Sequence, residues 1–378
     1  MSSSSKANIV IIGASYAGIG LAQALLKSMP KNIRIVLVNP SDKFFFNIAS
    51  PRILARPTAF HKDQYLIPII DAFATAPVGA FEFIQGQAVD IDPSTKNVTL
   101  SNQQSLKFDY LVIASGSSTA SSTGTGSILA PFKTTGDNHL EAAIEIAQHE
   151  ISTAKNIVIG GAGAVGVEFA GELAEALQDR SNVRITLISS SWHVLPALKK
   201  AGSERAESIL AEKGVTLKRS CKVRKAVQNP NSKKWSVTLD NDQIIEADAY
   251  ISTTGVIPNN QFIPPQFLDT KGWVNVDSEM RVKGPIYAIG DITSHPARLF
   301  LKAQEQIPIV CANLKNDILG QGKRKTYTPD DKVMLLVPVG SSSGTGQMFG
   351  MVPWGKMVGM IKGKDFFVSK ARSMIGVK

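Results

Sequence analysis

Two glycine-rich turns carry the chemistry this chain is equipped to do. Gly161-x-Gly163-x-x-Gly166 follows the apolar run Asn156-Ile-Val-Ile-Gly160 and opens an Ala/Leu-rich stretch that starts Val167-Glu-Phe-Ala. In such a turn the first glycine permits a tight bend, the second lets backbone approach a pyrophosphate, and the third lets helix and strand pack closely. The positive end of the helix then faces the phosphate charge. An earlier copy, Asn8-Ile-Val-Ile-Ile-Gly13-Ala-Ser15-Tyr-Ala-Gly18, keeps the plan with one departure. Its middle position is Ser15, a side chain where backbone should approach phosphate. A small hydroxyl fits there and can itself bond a phosphate oxygen.

The elements that must position these turns are duplicated with them. Each turn is preceded by an apolar strand and followed by a long helix and a second apolar strand, at residues 33–38 and 183–188. These are two βαβ units, each able to hold one dinucleotide. The end of the second strand reads the ribose: an acidic residue there suits NAD and an Arg suits NADP. In the second unit that end is Ser189-Ser-Ser191, then Trp192 and His193. Either NADH or NADPH fits, with NADH slightly favoured because no Arg or Lys follows within seven positions. In the first unit the end is Asn39, whose amide oxygen can accept one ribose hydrogen bond but carries no charge.

Strands at 89–100 and 108–114 complete the first unit, and a Ser/Thr/Gly-rich stretch, 115–127, leads to the second. Strands at 235–239 and 244–252 follow, and Thr253-Thr-Gly-Val-Ile-Pro258 marks the return. Ile286-Tyr-Ala-Ile-Gly290-Asp291 is a strand ending in Gly-Asp, where close approach to a polyol chain and a carboxylate acceptor coincide. From residue 327 the pattern turns strand-like, with a glycine-rich stretch over 340–355 and a mixed basic and apolar tail. The expected fold is α/β with two Rossmann-like domains. The first is discontinuous (1–127 and 250–325), the second is inserted (128–249), and a small α+β domain closes the chain (326–378).

Composition narrows the rest. With 43% hydrophobic and 19% charged residues the chain is globular. No apolar run reaches the roughly 18 residues that cross a bilayer. The start, Met1-Ser-Ser-Ser-Ser-Lys6, lacks a secretory apolar stretch, and Ser2 stands where N-myristoylation requires glycine. Only Cys221 and Cys311 occur, so a reducing interior is expected, cytoplasmic or mitochondrion-associated. The five histidines show no metal-ligand spacing. Gly340-Ser-Ser342-Ser-Gly344 fits a nucleophile elbow, yet no His follows it, so it reads as a turn. Net charge is +10, and residues 302–378 hold 12 Lys/Arg against 5 Asp/Glu. A solvated surface that favours an anionic dinucleotide explains this first. Anionic membrane, nucleic acid or a second subunit remain as further partners.

The turn at Gly13, the loop Ile113-Ala-Ser-Gly116-Ser, the turn at Gly161 and Gly290-Asp291 stand in the linear order of a two-dinucleotide flavin reductase. The chain resembles that family, the FAD- and NAD(P)-dependent pyridine nucleotide-disulfide oxidoreductases, over nearly its whole length. Within it the chain is similar to the apoptosis-inducing-factor-like, ferroptosis-suppressor group, kin of type II NADH dehydrogenases. The segments that carry this likeness are Phe44-Phe-Phe-Asn47-Ile-Ala-Ser-Pro-Arg52, Gly166-Val-Glu168-Phe-Ala-Gly-Glu172, Gly344-Thr-Gly346-Gln347 and Ile361-Lys362-Gly-Lys-Asp365-Phe-Phe-Val368. The resemblance implies FAD held by Gly13, Ser15, Gly18, Asn39, Asn47, Arg52, Gly116, Gly290 and Asp291. It implies NADH or NADPH at Gly161, Gly163 and Gly166, with Glu168 and Lys362 near the flavin ring. Its implied activity is NAD(P)H:quinone oxidoreduction. Disulfide reductases of this plan need a paired cysteine motif beside the flavin, which Cys221 and Cys311 do not form. Electrons are therefore expected to pass directly to a quinone-like acceptor or oxygen. The alternative is a dinucleotide-binding sensor or scaffold with slow turnover, whose basic tail binds nucleic acid or membrane.

Overall fold

The computed structural model describes residues 6–377 except 30, 138 and 331, so the expectation about Ser2 lies outside the described residues. The first unit starts with β1 (Ala7–Ile12), α1 (Tyr16–Ser28) and β2 (Ile33–Asn39), then the short α2 (Ser50–Ala55), β3 (Phe81–Gln85) and β4 (Tyr110–Ile113). The second holds α3 (Leu140–Thr153), β5 (Asn156–Gly160), α4 (Ala164–Ala176), β6 (Arg184–Ile188), α5 (Lys200–Glu212), β7 (Thr216–Lys218) and β8 (Ala249–Ser252). The chain returns through β9 (Arg281–Lys283), β10 (Ile286–Ala288) and α6 (Phe300–Leu319). It ends in a hairpin, β11 (Leu335–Pro338) and β12 (Gly344–Gln347), with short helical turns beginning at α7 (Gly355–Val358).

The first sheet runs β9-β10-β4-β1-β2-β3, parallel except at β9. The second runs β7-β6-β5-β8, all parallel. Such strands are covered on both faces, which is why β1 and β5 read as unbroken apolar runs. Ile9 and Ile11 pack with α1, whose buried Ile19, Leu21, Ala22 and Leu25 recur at helical spacing. Val10, Ile12, Val36 and Val38 face the other way, onto Val98 and Leu100 of a three-stranded meander. The second unit carries a matching meander, Val223–Gln228, Trp235–Leu239 and Ile244–Ala247. The duplication thus extends beyond the βαβ cores.

Paired segments mark the crossings between the two sheets. Ser117–Ser118 and Ile257–Pro258 pair antiparallel, one segment leaving the first unit and the other returning. Ser127 and Ile128 bond the Tyr250 carbonyl, and β8 pairs with β5. Residues 127 and 128 thus lie against the second sheet, and the chain leaves that sheet after Ser252. Residues 249–252 form a buried strand at the edge of the second sheet, and Gly255 with Pro258 supply the turn after it. The C-terminal unit is a strand hairpin from 335 to 347 followed by a helical tail, an α+β arrangement. Its glycines fit against the hairpin, where a Cβ on Gly359 would lie 2.3 Å from the Ser342 carbonyl oxygen.

Candidate functional site

The two turns have the same geometry. Gly13 and Gly161 both adopt φ +108°, a conformation side chains rarely take. A Cβ on Gly18 would lie 1.8 Å from the Gly13 carbonyl oxygen, and one on Gly166 would lie 1.9 Å from that of Gly161. The third glycine of each turn therefore serves helix-to-loop packing. The middle position is different: a Cβ on Gly163 meets nothing within 4 Å. Protein packing does not demand glycine there, and the exposed Ser15 occupies the matching place without conflict.

Both turns open on one cavity of about 840 Å³, toward the upper end of the roughly 300–1,000 Å³ usual for ligand pockets. Gly13, Ser15, Asn39, Asn47, Gly116, Gly290 and Asp291 line it from the first unit. Gly161, Gly163 and Glu168 line it from the second, and Lys362 from the C-terminal unit. Gly18, Gly166 and Arg52 are not on its wall. Asn39 has a bracing role: its Oδ1 accepts from the Ala14 N–H at 2.9 Å and its Nδ2 donates to the Ser41 carbonyl at 2.8 Å. At Asp291, Oδ2 accepts from Ser117 Oγ at 2.9 Å and Lys133 Nζ at 2.6 Å. Its Oδ1 has no hydrogen-bond partner among the described residues. Lys133 and Ser117 were not legible beforehand, because an ion pair across 158 positions leaves no local pattern. The cradle of open glycines, the helix N-termini and the carboxylate fit two dinucleotides.

On α4, Glu168, Glu172 and Glu175 lie on one helical face, and each meets cations from another part of the chain. Lys362 Nζ donates to Glu168 Oε1 at 2.6 Å and to the Leu336 carbonyl at 3.1 Å. Burial pushes the Glu168 carboxyl up, and Lys362 pulls against it. Lys362 sits on a π-helical turn, Gly359–Gly363, a local widening often found at functional positions. Arg52 lies off the cavity wall. Its Nε and Nη2 grip both oxygens of the fully buried Glu172, at 2.8 and 2.7 Å, and its Nη1 donates to the Lys364 carbonyl at 2.8 Å. With three of its five N–H groups bonded to protein, it links the first unit to the other two. Arg56 extends the network, 3.1 Å from Glu172 and 2.8 Å from Glu175. Burial raises the Glu175 carboxyl, but bonds from Arg56, Ser341 and Lys213 outweigh it and hold the group at about 2.

Neither cysteine is paired. Cys221 is buried, yet it reaches the cavity wall beside Ser189 rather than lying wholly in the core. Cys311 lies on α6, 3.7 Å from Ser28 Oγ. Among the described residues no cluster of acidic, histidine and cysteine side chains could hold a metal, and no helix is long and apolar enough to cross a membrane.

A two-unit α/β scaffold with paired dinucleotide turns on one cavity defines a dinucleotide-dependent oxidoreductase. A family model described as pyridine nucleotide-disulphide oxidoreductase matches residues 7–307, and the chain belongs to that family. As such it uses FAD, with NAD(P)H as electron donor. The oxidoreductase phnG of Penicillium herquei is 32% identical, covering 96% of this chain and 94% of its own. Ferroptosis suppressor protein 1 of Xenopus tropicalis is 29% identical over 97% of this chain and 96% of its own. Among solved structures, NDH2 from Plasmodium falciparum in complex with NADH superposes with a TM-score of 0.78 at 13% identity, covering 99% of both chains. The sulfide:quinone oxidoreductase of Aquifex aeolicus gives 0.75 at 20% identity, covering 99% of this chain and 93% of its own.

Proposed function

We propose that this chain moves electrons from NAD(P)H directly to a quinone-like organic acceptor, or to oxygen, without a thiol relay. The observation that carries this reading is the single cavity onto which both turns open, with the Glu168–Lys362 pair in its wall and no cysteine pair along it. A relay needs two exchangeable thiols, and the chain has no such couple. Bound FAD would supply hydride acceptance and onward electron delivery. Around it, the Gly13 turn and Ser15 would hold the pyrophosphate, Asp291 a chain hydroxyl, and Glu168 with Lys362 would fix charge and orientation near the reacting ring. The quinone-reducing neighbour of like fold supports the acceptor class.

Acceptor delivery has a surface to match. Phe349, Met351, Trp354 and Met360 are exposed on the C-terminal unit close in sequence to Lys356, and an anionic lipid surface fits that combination. Anaerobic addition of NAD(P)H is expected to bleach the yellow protein, and a water-soluble quinone to restore the colour. Colour that survives excess NAD(P)H, or bleached protein that quinone leaves unchanged, overturns the reading. Co-sedimentation with phosphatidylserine vesicles checks the lipid contact, which is rejected if Trp354→Ser and the parent sediment equally.

A further inference from the structure

The geometry points to NADPH rather than NADH as the preferred donor, selected by a 2′-phosphate subsite built from Ser190, Ser191 and Lys222. This rests on the second turn holding a nicotinamide dinucleotide. In such folds the end of the second strand meets the adenosine ribose, and a carboxylate there accepts from both ribose hydroxyls of NAD. Here β6 ends at Ile188, whose carbonyl accepts from the Gly161 N–H at 3.0 Å, so the following residues stand beside the pyrophosphate turn. They are Ser189, Ser190 and Ser191, all on the cavity wall, with no carboxylate among them. Ser189 is spent on the turn, donating to the His193 carbonyl at 3.3 Å. The hydroxyls of Ser190 and Ser191 have no partner among the described residues.

The missing cation comes from another strand. Register between β6 and β7 sets Ile188 opposite Lys218, and backbone bonds from Ser220 to Ser191 and from Cys221 to Ser189, both 3.1 Å, carry the pairing onward. That brings Lys222 to the cavity wall beside the serines. Its ammonium has no ion-pair partner among the described residues. Asp240 accepts from the Lys222 backbone N–H at 3.0 Å, not from the side chain. The remaining nearby carboxylate, Glu207, is consumed: Arg219 at 2.9 Å, His193 at 3.2 Å and the Val194 N–H at 3.0 Å share it. The subsite therefore offers hydroxyls and a free positive charge and withholds a free carboxylate. A phosphate monoester dianion satisfies it; a ribose hydroxyl leaves the lysine unpaired.

Titration calorimetry on the FAD-loaded protein with adenosine 2′,5′-bisphosphate and with 5′-AMP tests this without turnover. The bisphosphate is expected to bind at least about tenfold tighter, as a charge-assisted contact implies. Rising salt should shrink that ratio. Lys222→Ser should bring the ratio near one, and Lys222→Arg should keep it. If AMP binds and the bisphosphate binds no tighter, or if Lys222→Ser leaves the ratio intact, the subsite is refuted while the nucleotide site stands. If neither adenylate binds, the dinucleotide reading of the second turn falls with it.

Discussion

At the scale of single residues, Glu168 and Glu175 sit on the same helix yet respond to pH in opposite directions. Glu168 titrates above an ordinary glutamate because burial penalises its charged form. The folded state then favours the protonated carboxyl, so its contribution to stability is complete below the ordinary glutamate range and is lost as pH rises through the elevated value. Glu175 is held at about 2, so its contribution is present above the ordinary range and is lost as pH falls toward that value. Melting temperature against pH should therefore flatten above the ordinary glutamate range in Glu168→Gln and below it in Glu175→Gln. Lys362→Met sharpens the first case, because it removes the cation 2.6 Å from a buried carboxylate. Breaking such a pair costs about 3–5 kcal/mol when the remaining group stays charged, and less when it can protonate. The variant's loss of melting temperature should grow as pH rises and the carboxyl ionises; a loss independent of pH would mean that Glu168 does not feel the lysine's charge.

At the scale of elements, the turns make separable predictions for their three positions. Gly18→Ala puts a methyl 1.8 Å from a backbone carbonyl that cannot move without breaking the turn. A loss of about 3 kcal/mol or more is expected in denaturant titration, with poor retention of FAD. Gly163→Ser copies the first turn onto the second, where nothing crowds the added atoms. It should fold with nearly unchanged melting temperature and weaken only dinucleotide binding, measured by calorimetry. A cooperative loss of structure would show that protein packing, not ligand approach, requires that glycine. Both turns were legible from sequence because their information is local: a strand, a spacing and a helix start within about twenty positions. The family likeness placed Arg52 among the cofactor residues, but a motif does not record which way a side chain turns. It gave no sign of Lys133 or Lys222, whose partners come from strand pairings and loop contacts far away in the chain. The pairing of the apolar strand over 249–252 with β5 is non-local in the same way.

At the scale of the whole molecule, the three units are joined by charge as well as by apolar packing. Arg52 comes from the first unit, Glu172 and Glu175 from the second, and the Lys364 carbonyl and Ser341 from the third. The Lys364 carbonyl lies two positions beyond Lys362, so the clamp that joins the units also fixes the segment that presents this lysine to the cavity. Arg52→Met leaves Glu172 fully buried with Arg56 as its remaining cation. A destabilisation of about 3–5 kcal/mol is expected from such a loss, seen as a lower denaturant midpoint. Arg52→Lys keeps the charge but not the planar fork that reaches two carboxylate oxygens and a carbonyl together, so its loss should fall between Met and the parent. A purely local role would stop there. A clamp predicts more: at a temperature where both variants remain folded, NAD(P)H should bleach the Met variant more slowly than the Lys variant, because Lys362 is less firmly placed. If Arg52→Met is less stable but bleaches at the parental rate, Arg52 holds the units together without positioning the site.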